Sequence, residues 1–446
     1  VSVLARILYN YKGKYLFNGS YRRDGSSAFS YTGNQWQNFY SVGLGWLMSE
    51  EEWMKGIEWL DMLKLKGSWG TLGNQNLDRA YPAEPLLSNA YSAVFGTPSA
   101  IYPGYQLAYL PNPNLRWEKV EAWEAGFETN LLRNRLHFEG VYYKKNTKDL
   151  LAEVPGISGT IPGIGNLGQI QNKGVEMAVT WRDQIGDWNY NVGANLTTIK
   201  NKVLSLVQDG YSIIAGDKSQ SYTMAGYPIG YFYGYKVAGV YQNETDIETS
   251  APNQVASVKP GDLKFADVNG DGIISEKDRT MIGNPTPDFT YGFSVNLGYK
   301  NFDLSAFFYG VNGIDVNTYA VKSETDFWSI NDVRSNKGTR LLDAWSPTNP
   351  DSNIPAITAL NANDEGRMST YFVENGSFLK LRNLQLGYTL PRKISEKAYI
   401  EKCRIYVSGQ NLFTIKSKNF SGVDPENAGF GYPIPTTFTV GINIGF

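Results

Sequence analysis

The sequence contains very little cysteine and histidine. Among its 446 residues there is one cysteine, Cys403, and one histidine, His137. A single cysteine excludes an intrachain disulfide. One cysteine and one histidine together are also too few for a zinc site built from several Cys and His ligands. The same scarcity leaves little scope for histidine-based catalysis. Both residues are therefore interpreted as ordinary half-buried strand residues.

Long apolar runs and an excess of one charge are also missing. No stretch approaches the about 18 consecutive apolar residues of a transmembrane helix. The 41 basic and 43 acidic side chains give a formal charge of -2, which indicates neither nucleic acid nor an anionic membrane surface as a partner. Since the chain begins at Val1 without a signal peptide, we expect a processed product or part of a longer chain.

Aromatic residues and glycine are abundant. The sequence has 30 Tyr, 21 Phe, 11 Trp and 46 Gly, a combination that suits strands, tight turns and aromatic belts better than helices. Apolar and polar residues alternate with period two in "FTYGFSVNLGYK" (289–300), "WNYNVGANLT" (188–197) and "TFTVGINIGF" (437–446). Such alternation predicts strands with one apolar face.

A soluble sandwich would also alternate, but three properties favour a membrane barrel. The segments are about ten residues long, as in a tilted strand that crosses a bilayer. Their polar faces carry Asn, Thr, Ser and Gly, and aromatic residues lie at their ends, as expected of a wet lumen and an interfacial girdle. Roughly thirteen such segments are predicted, near 1–12, 14–23, 38–48, 61–72, 116–131, 135–149, 169–182, 187–204, 288–300, 302–317, 378–390, 403–415 and 436–446.

The links between these segments alternate in length. Short links ("KGK", "LLRNR", "RDQIGD" and "KN") alternate with long ones near 73–115, 205–287, 318–377 and 416–435. This is typical of outer-membrane barrels, whose long loops are extracellular. The sequence thus predicts an all-β, transmembrane antiparallel barrel. Because bacterial barrels have an even strand number, the odd count predicts that only part of the barrel is present.

The stretch "DVNGDGIISEKD" (267–278) has the spacing of a calcium-binding loop. Oxygen donors recur at positions 1, 3, 5, 7 and 12, and glycine at position 6 permits the sharp turn. A structural Ca²⁺ ion that pins a long external loop is therefore predicted. Its ligands would be Asp267, Asn269, Asp271, the carbonyl of Ile273, and Asp278. A metal-free turn rich in Asx residues is the alternative.

Three further motifs have ordinary structural explanations. "GIGNLG" (163–168) matches a dinucleotide fingerprint, but a strand is predicted after it where that fingerprint needs a helix. The aromatic stretch "YPIGYFYGYKVAGVY" (227–241) either offers stacking surfaces for sugars or a partner, or forms a hairpin that buries its own rings. The apolar phase slips after Leu381, which predicts a β-bulge at Arg382 or Asn383.

Several stretches, in order along nearly the whole chain, resemble the SusC/RagA family of TonB-dependent outer-membrane transporters. They are "YRRDGSSAF" (21–29), "SVGLGWLMSEE" (41–51), "LKLKGSWGTLGN" (63–74), "NPNLRWEKV" (112–120), "GNLGQIQNKGVE" (165–176), "GDLKFADVNGDGIISEKDRTMIGNPTPDF" (261–289), "NGSFLKLRNLQLGYTLP" (375–391) and "SGQNLFT" (408–414).

The resemblance implies a 22-stranded barrel in the outer membrane, closed by an N-terminal plug and surrounded by outer-membrane lipid. It implies import of oligosaccharide or peptide fragments, energy from the TonB complex, a SusD-like surface lipoprotein as partner, and no enzymatic activity or catalytic residues. Residues 1–446 would be its C-terminal part, with roughly the last thirteen strands. The plug and TonB box would precede Val1, so the TonB complex would act through that missing region. The resemblance assigns no substrate-binding residues, which stay unknown from the sequence.

Two alternatives remain open on the sequence alone. One is a passive outer-membrane channel or a binding protein that works through its loops. The other is a secreted carbohydrate-active protein with a dockerin-like calcium loop. Against the second, dockerins duplicate the loop, one copy is visible here, and no catalytic carboxylate pair is apparent.

Overall fold

The structure is a computed structural model. It describes residues 1–77, 81–154, 161–207, 210–216, 220–328, 330, 336–358, 360–429 and 431–446.

Strands dominate the described residues. They are β1 (Ser2–Tyr11), β2 (Tyr15–Gly25), β3 (Trp36–Leu47), β4 (Leu60–Asn74), β5 (Leu87–Phe95), β6 (Ala100–Leu107), β7 (Glu118–Leu131), β8 (Leu136–Lys148), β9 (Leu151–Val154), β10 (Gly163–Asn166), β11 (Gly168–Ile185), β12 (Trp188–Thr198), β13 (Lys200–Leu206), β14 (Ser212–Ala215), β15 (Ser221–Met224), β16 (Tyr231–Gly234), β17 (Val237–Val240), β18 (Leu263–Phe265), β19 (Thr280–Gly283), β20 (Phe289–Tyr299), β21 (Phe302–Asn312), β22 (Asp315–Asn317), β23 (Val373–Asn375), β24 (Phe378–Thr389), β25 (Lys402–Lys416) and β26 (Thr437–Gly445).

Helices are short. The α-helices are α1 (Glu244–Thr249), α2 (Tyr319–Thr325) and α3 (Arg392–Ser395), and the 3-10 helices are Ser27–Thr32, Met48–Glu50, Glu276–Asp278, Thr339–Asp343, Thr370–Phe372 and Glu396–Ala398. Within the described ranges, no helix combines the length and apolar character required to cross a membrane.

The chain divides into two compact units. The first comprises Val1–Met177, Lys200–Tyr211 and Met224–Tyr227. Its large sheet runs in the order β1-β2-β3-β4-β7-β8-β11, and β13 pairs with the beginning of β11. Tight links join neighbours: Tyr11 pairs with Tyr15, and Leu131 with Leu136. A buried cluster in this unit contains Phe29, Phe39, Leu115, Trp117 and Ile164.

The second unit comprises Ala178–Ile199, Ser212–Thr223 and Pro228–Phe446. Its large sheet runs in the order β12-β20-β21-β24-β25-β26, and the pairs are antiparallel. Smaller sheets, β14-β15-β16-β19, β17-β18 and β22-β23, lie in the long connections. We call β20, β21, β24 and β25 the wall strands of this unit.

Each of the thirteen predicted segments corresponds to one strand along the path of the large sheet. The predicted all-β fold class is confirmed. Two predicted boundaries are wrong. The segment 187–204 ends as β12 at Thr198, after which β13 turns back onto β11, and the segment 302–317 ends as β21 at Asn312, after which β22 pairs with β23. In both cases the chain changes its pairing partner inside the predicted segment.

The sheet strands have an exposed apolar face. On β3, Tyr40, Val42 and Leu44 are 47%, 40% and 61% exposed, whereas Phe39 on the opposite face is 5% exposed. A polypeptide in water would bury such a row, so the exposed apolar rows suit a lipid environment.

Two local predictions on β24 and β10 are confirmed. Pairing skips Arg382 on both sides of β24, between Leu381 and Asn383, as expected of a β-bulge. The "GIGNLG" glycines lie in β10 and at the start of β11, and a strand rather than a helix follows them. The dinucleotide interpretation therefore fails on its context.

An ion pair joins β21 and β25, the two neighbours of β24, next to a glycine of β24. Arg404 of β25 donates from Nε to Asp303 Oδ1 of β21 at 2.9 Å, and its Nη2 contacts the other oxygen. Gly387 of β24 lies between them, and a Cβ atom there would lie 2.5 Å from both side chains. A side chain at position 387 would therefore displace the pair.

The long connections of the second unit share a hydrophobic core of their own. We call it the loop core, and its buried members are Tyr235, Val240, Leu263, Phe265, Ile274, Phe327, Trp345 and Phe372. They come from connections that precede β20, follow β21 and precede β24. These segments thus fold into a packed body.

Candidate functional site

The predicted calcium loop, residues 267–278, connects β18 to β19. Asp267 accepts N–H bonds from Gly270 at 2.7 Å and from Gly272 at 2.8 Å. Gly270 and Gly272 have φ angles of +75° and +86°, in the left-handed region that glycine adopts without steric cost. The first half of the loop thus curls around the Asp267 carboxylate.

Asn269 and Asp271 continue this pattern. Asn269 Oδ1 accepts the N–H of Asp271 at 2.9 Å, and Asp271 Oδ1 accepts the N–H of Ile273 at 3.1 Å. Each bond links a side chain to the backbone two residues further on, which is the geometry of an Asx turn. Since the spacing is local, the sequence alone is enough to produce it.

Asp278 closes the loop from within. Its side chain is 0% exposed, and its oxygens accept the N–H groups of Val268 at 2.8 Å and Ser275 at 2.7 Å. Burial acts to raise the pKa of Asp278, but these backbone donors and that of Asn269 outweigh it and hold the pKa below its usual value. Asp278 therefore joins the two ends of the loop as a carboxylate.

The donor chemistry of the loop fits calcium. The five predicted ligands offer oxygen atoms, which Ca²⁺ prefers, and a carboxylate oxygen that accepts one N–H keeps further acceptor capacity. Among the described residues, however, no three or more His, Cys, Asp or Glu side chains form a group that could hold a metal ion. The ligand types are present, and backbone N–H groups bind at least one side-chain oxygen of each of the four Asp and Asn residues.

Ile274 attaches the predicted calcium loop to the loop core. Ile274 is 1% exposed. Its N–H donates to Pro252 O at 2.9 Å, and its carbonyl accepts from Gln254 N at 3.0 Å. A change in the conformation of 267–278 would therefore act directly on the loop core.

Arg279, immediately after the loop, lies against two tyrosines. Its guanidinium carbon is 5.6 Å from the ring centroid of Tyr222 and 5.0 Å from that of Tyr233. The two rings are 4.2 Å apart. Such cation–π contacts contribute on the order of 0.5–1 kcal/mol each at exposed sites, and they tie the exit of the loop to β15 and β16.

The aromatic stretch 227–241 mostly buries its rings. Tyr231, Tyr235 and Tyr241 are 1%, 3% and 2% exposed, whereas Tyr227 is 39% exposed. The stretch does not form a hairpin with itself, because β16 pairs with β15 and β19 while β17 pairs with β18. Burial of the rings is thus confirmed, and the predicted hairpin pairing is wrong.

A buried polar segment, residues 361–369, escaped the sequence analysis. Glu365 is 1% exposed and accepts the N–H of Leu263 at 2.8 Å, while Asn363 donates to Leu263 O at 3.0 Å. Asn363 Oδ1 also accepts from Asn253 at 3.1 Å. Side chains of this segment thus bind both the N–H and the carbonyl of Leu263, as the backbone of a neighbouring strand would.

Burial raises the pKa of Glu365 to about 7, and the nearby Asp262 carboxylate acts in the same direction. The N–H of Leu263, the Asn363 side chain and the Lys259 charge oppose this rise. Glu365 is therefore a carboxyl group that changes charge near neutral pH inside the loop core.

Arg367 lies in the same segment and is 9% exposed. Its guanidinium carbon lies 4.2 Å from the ring centroid of Phe265 and 5.0 Å from that of Tyr235, and its Nη2 donates to Asn363 O at 2.7 Å. Burial lowers the pKa of Arg367. In sequence, "NDEGRMS" has the composition of a solvated turn, so no periodic signal marks its burial.

A family model described as TonB dependent receptor-like, beta-barrel, matches residues 3–412. The chain therefore belongs to this family, whose members are transporters and receptors and not enzymes.

The particular relatives support the SusC/RagA resemblance, which is confirmed. TonB-dependent receptor P3 of Formosa agariphila is 35% identical over 472 residues, covering 100% of this chain and 45% of the relative. TonB-dependent receptor SusC of Bacteroides thetaiotaomicron is 30% identical over 470 residues, covering 100% and 44%. The structure of the RagAB peptide transporter matches with a TM-score of 0.82 at 25% identity, covering 100% of this chain and 47% of that one. The chain thus spans less than half the length of these relatives.

Proposed function

We propose that this chain is part of the barrel of a SusC-like transporter that imports bulky nutrients across the bacterial outer membrane. The observation that carries the proposal is the match over the whole chain to the RagAB peptide transporter and to SusC. The outward apolar rows of the sheet strands support a membrane location, because their side chains need a lipid environment.

The proposed partners follow the same relatives. A SusD-like surface lipoprotein would bind at the long loops, and the TonB complex would supply energy through a region outside these residues. The substrate would be an oligosaccharide or a peptide fragment. Outer-membrane lipid would surround the sheet.

Uptake by the intact bacterium tests this proposal. The gene is deleted in the producing organism, and uptake of labelled oligosaccharide and peptide mixtures is compared with that of a strain lacking TonB. Energy-dependent uptake lost in both strains supports import. Uptake that persists without TonB but disappears with the gene would support a passive channel instead.

We also propose that residues 267–278 bind Ca²⁺ as a structural ion, with Asp267, Asn269, Asp271, Ile273 and Asp278 as ligands. The support is the oxygen donor set at the spacing of a calcium loop. Because Ile274 belongs to the loop core, the ion would stabilise the fold of the long connections.

Calcium titration of the chelator-treated full-length protein tests the site by heat and by protease sensitivity near 267–278. We expect binding heat and slower cleavage in the wild type, and neither in Asp271→Ala. Asp351→Ala, which changes an exposed aspartate in another connection, is the matched control and should behave as the wild type. Absence of binding heat on calcium titration of the wild type would contradict the proposed calcium site.

A further inference from the structure

A cavity of about 690 Å³ opens among the long connections of the second unit. Its size lies within the roughly 300–1,000 Å³ of small-molecule sites. Its polar lining includes the side chains of Arg340, Asn353, Asn375, Lys418 and Asn419. They come from two connections, the one between β21 and β24 and the one after β25, and the connection before β20 adds backbone and side-chain lining at Val237 and Gly239.

The acidic groups around the cavity are already neutralised. Glu374 pairs with Lys322 at 2.8 Å and accepts the N–H and hydroxyl of Ser421 at 2.8 and 3.0 Å. Asp326, behind Arg340, accepts from Arg340 Nε and Nη2 at 2.6 and 2.9 Å. Neither carboxylate is available to repel an anion or to bind a cation.

Two cations at the cavity keep unused donors. Lys418 is exposed, and its ammonium group makes no ion pair or hydrogen bond with any described residue. The Arg340 side chain is 43% exposed. Its Nε and Nη2 bind Asp326, which leaves Nη1 without an acceptor among the described residues. Because Asp326 fixes the guanidinium plane, Arg340 is preorganised to bind an anion.

The remaining polar lining consists of amides. Asn353 and Asn419 are exposed, and within the described ranges their side chains have no hydrogen-bond partner. Asn375 uses its oxygen to accept the N–H of Ser377 at 2.8 Å, and no described residue accepts from its NH₂ group, which can donate to a ligand. Among the apolar lining residues, Ile354 and Phe420 are 9% and 6% exposed, so these two present little surface to an apolar ligand.

We propose that this cavity binds an acidic saccharide, with its carboxylate against Lys418 and Arg340 and its hydroxyl groups against Asn353, Asn375 and Asn419. Amide side chains can both donate to and accept from sugar hydroxyls, while the charge of Lys418 and the remaining Nη1 donor of Arg340 favour a carboxylate. The inference deepens the proposed function, because it rests on import by the same protein and assigns a substrate class to it.

Calorimetry on the full-length protein in detergent, with trigalacturonate as the probe, tests this directly. We expect binding that weakens with added NaCl, because exposed charges are screened. Lys418→Gln should weaken it about tenfold, the size of losing one charge-assisted contact. Lys418→Arg should retain most of the affinity. Arg340 is left intact because it pairs with the buried Asp326.

Two matched controls separate the site from general charge effects. Lys393→Gln changes an exposed lysine in α3, beyond the other end of β24, and should leave binding unchanged. Asn419→Ala should weaken binding without altering its dependence on salt. The neutral trisaccharide maltotriose and the acidic tripeptide Glu-Glu-Glu should both bind more weakly than trigalacturonate.

Absence of trigalacturonate binding, or binding indifferent to Lys418→Gln, would overturn the proposal. Equal or tighter binding of maltotriose would overturn the role of the cations, and equal or tighter binding of Glu-Glu-Glu would overturn the saccharide assignment. Since the assay needs neither TonB nor a lipoprotein, its result is independent of the uptake experiment. Binding of trigalacturonate at this cavity, together with uptake of every labelled mixture that is unaffected by deletion of the gene, would contradict the proposed function and leave the binding site in place.

Discussion

In the second unit, Ile405 and Val407 of β25 are 40% and 50% exposed, whereas Phe265 and Phe372 of the loop core are 3% and 0% exposed. The wall strands present apolar side chains to their surroundings, as a membrane barrel does. The loop core buries the same types of residue, as a water-soluble domain does. Within one chain, apolar side chains are thus exposed in the wall strands and buried in the loop core.

The two regions also differ in how their hydrogen bonds are made. Wall strands pair residue by residue with their neighbours, as in the match of β20 to β21 from Phe289–Asn312 to Tyr299–Phe302. The loop core depends on bonds across long separations. Leu263 and Glu365 are 102 residues apart, and the bond from Trp345 Nε1 to Gln242 Oε1 spans 103 residues. Wall stability therefore depends on the ladder and the lipid, and loop stability on burial.

The largest expected effect is on the loop core, from Phe372→Ala. Phe372 is 0% exposed and packs against Phe327 and Tyr319 with ring centroids 5.7 and 4.8 Å away. Its removal should destabilise the loop core by about 3–5 kcal/mol, because a buried ring leaves a cavity. Hydrogen exchange of the β17 and β18 amides should accelerate strongly, while that of β20 and β21 should not change.

The contrast between the two regions decides this prediction. If exchange accelerates equally in the wall strands and in β17–β18, the loop core does not unfold as a separate body. If neither changes, Phe372 does not contribute to its stability.

A smaller effect is expected from pH through Glu365. Its pKa rises from 4.5 to about 7 in the fold, so the folded loop core retains a proton that the unfolded chain loses. The stabilisation is complete below about pH 4.5, declines as pH rises, and is lost above about pH 7; it amounts to about 3 kcal/mol. Protease cleavage of the long connections should therefore be faster at pH 8 than at pH 5, after correction for enzyme activity.

Glu365→Gln is the matched control for this pH dependence. Its carboxamide oxygen can still accept the N–H of Leu263 but cannot ionise. Cleavage of this variant should lose most of its variation with pH, with a remainder from Asp262, whose pKa burial also raises. An unchanged pH profile in the variant would assign the effect to another group.

A third, smaller effect concerns the connection 416–435. Lys380 of β24 is 0% exposed and pairs with Asp424 at 2.7 Å and Glu426 at 2.5 Å. Lys380→Met removes these bonds but keeps an apolar stem, so we expect a loss of about 2 kcal/mol. Cleavage within 416–429 should accelerate without loss of β24 protection. Lys393→Met, at an exposed position, should change neither.

The strands of the large sheet could be predicted from sequence because the alternation of apolar and polar residues is a local signal. Period-two alternation located each of the thirteen strands, and a phase slip located the bulge at Arg382. The calcium-loop pattern at 267–278 was visible for the same reason, since its Asx turns involve neighbours only. Errors arose where the chain changed its pairing partner, as after Thr198 and Asn312, because the new partner is a segment distant in sequence.

The loop core could not be predicted because it depends on contacts between residues that are distant in sequence. Glu365 and Arg367 have the composition of a solvated turn, and only the packing of Leu263 and Phe265 against them makes them buried. The cavity beside Lys418 likewise joins three connections that are distant in sequence. The periodicity of apolar residues carries no information about contacts between such distant segments.

The smallest expected effect returns to the wall, with Leu386→Ala on β24. Leu386 is 52% exposed, and detergent or lipid can fill the space that its side chain leaves. The cost should be about 1 kcal/mol, the transfer free energy of the lost methylene and methyl groups at half exposure and without a cavity. Unfolding of the full-length protein in detergent, compared with Phe372→Ala, measures the difference. A loss as large as that of Phe372→Ala would mean that Leu386 is packed against protein, and the outward face of the wall would need another explanation than lipid.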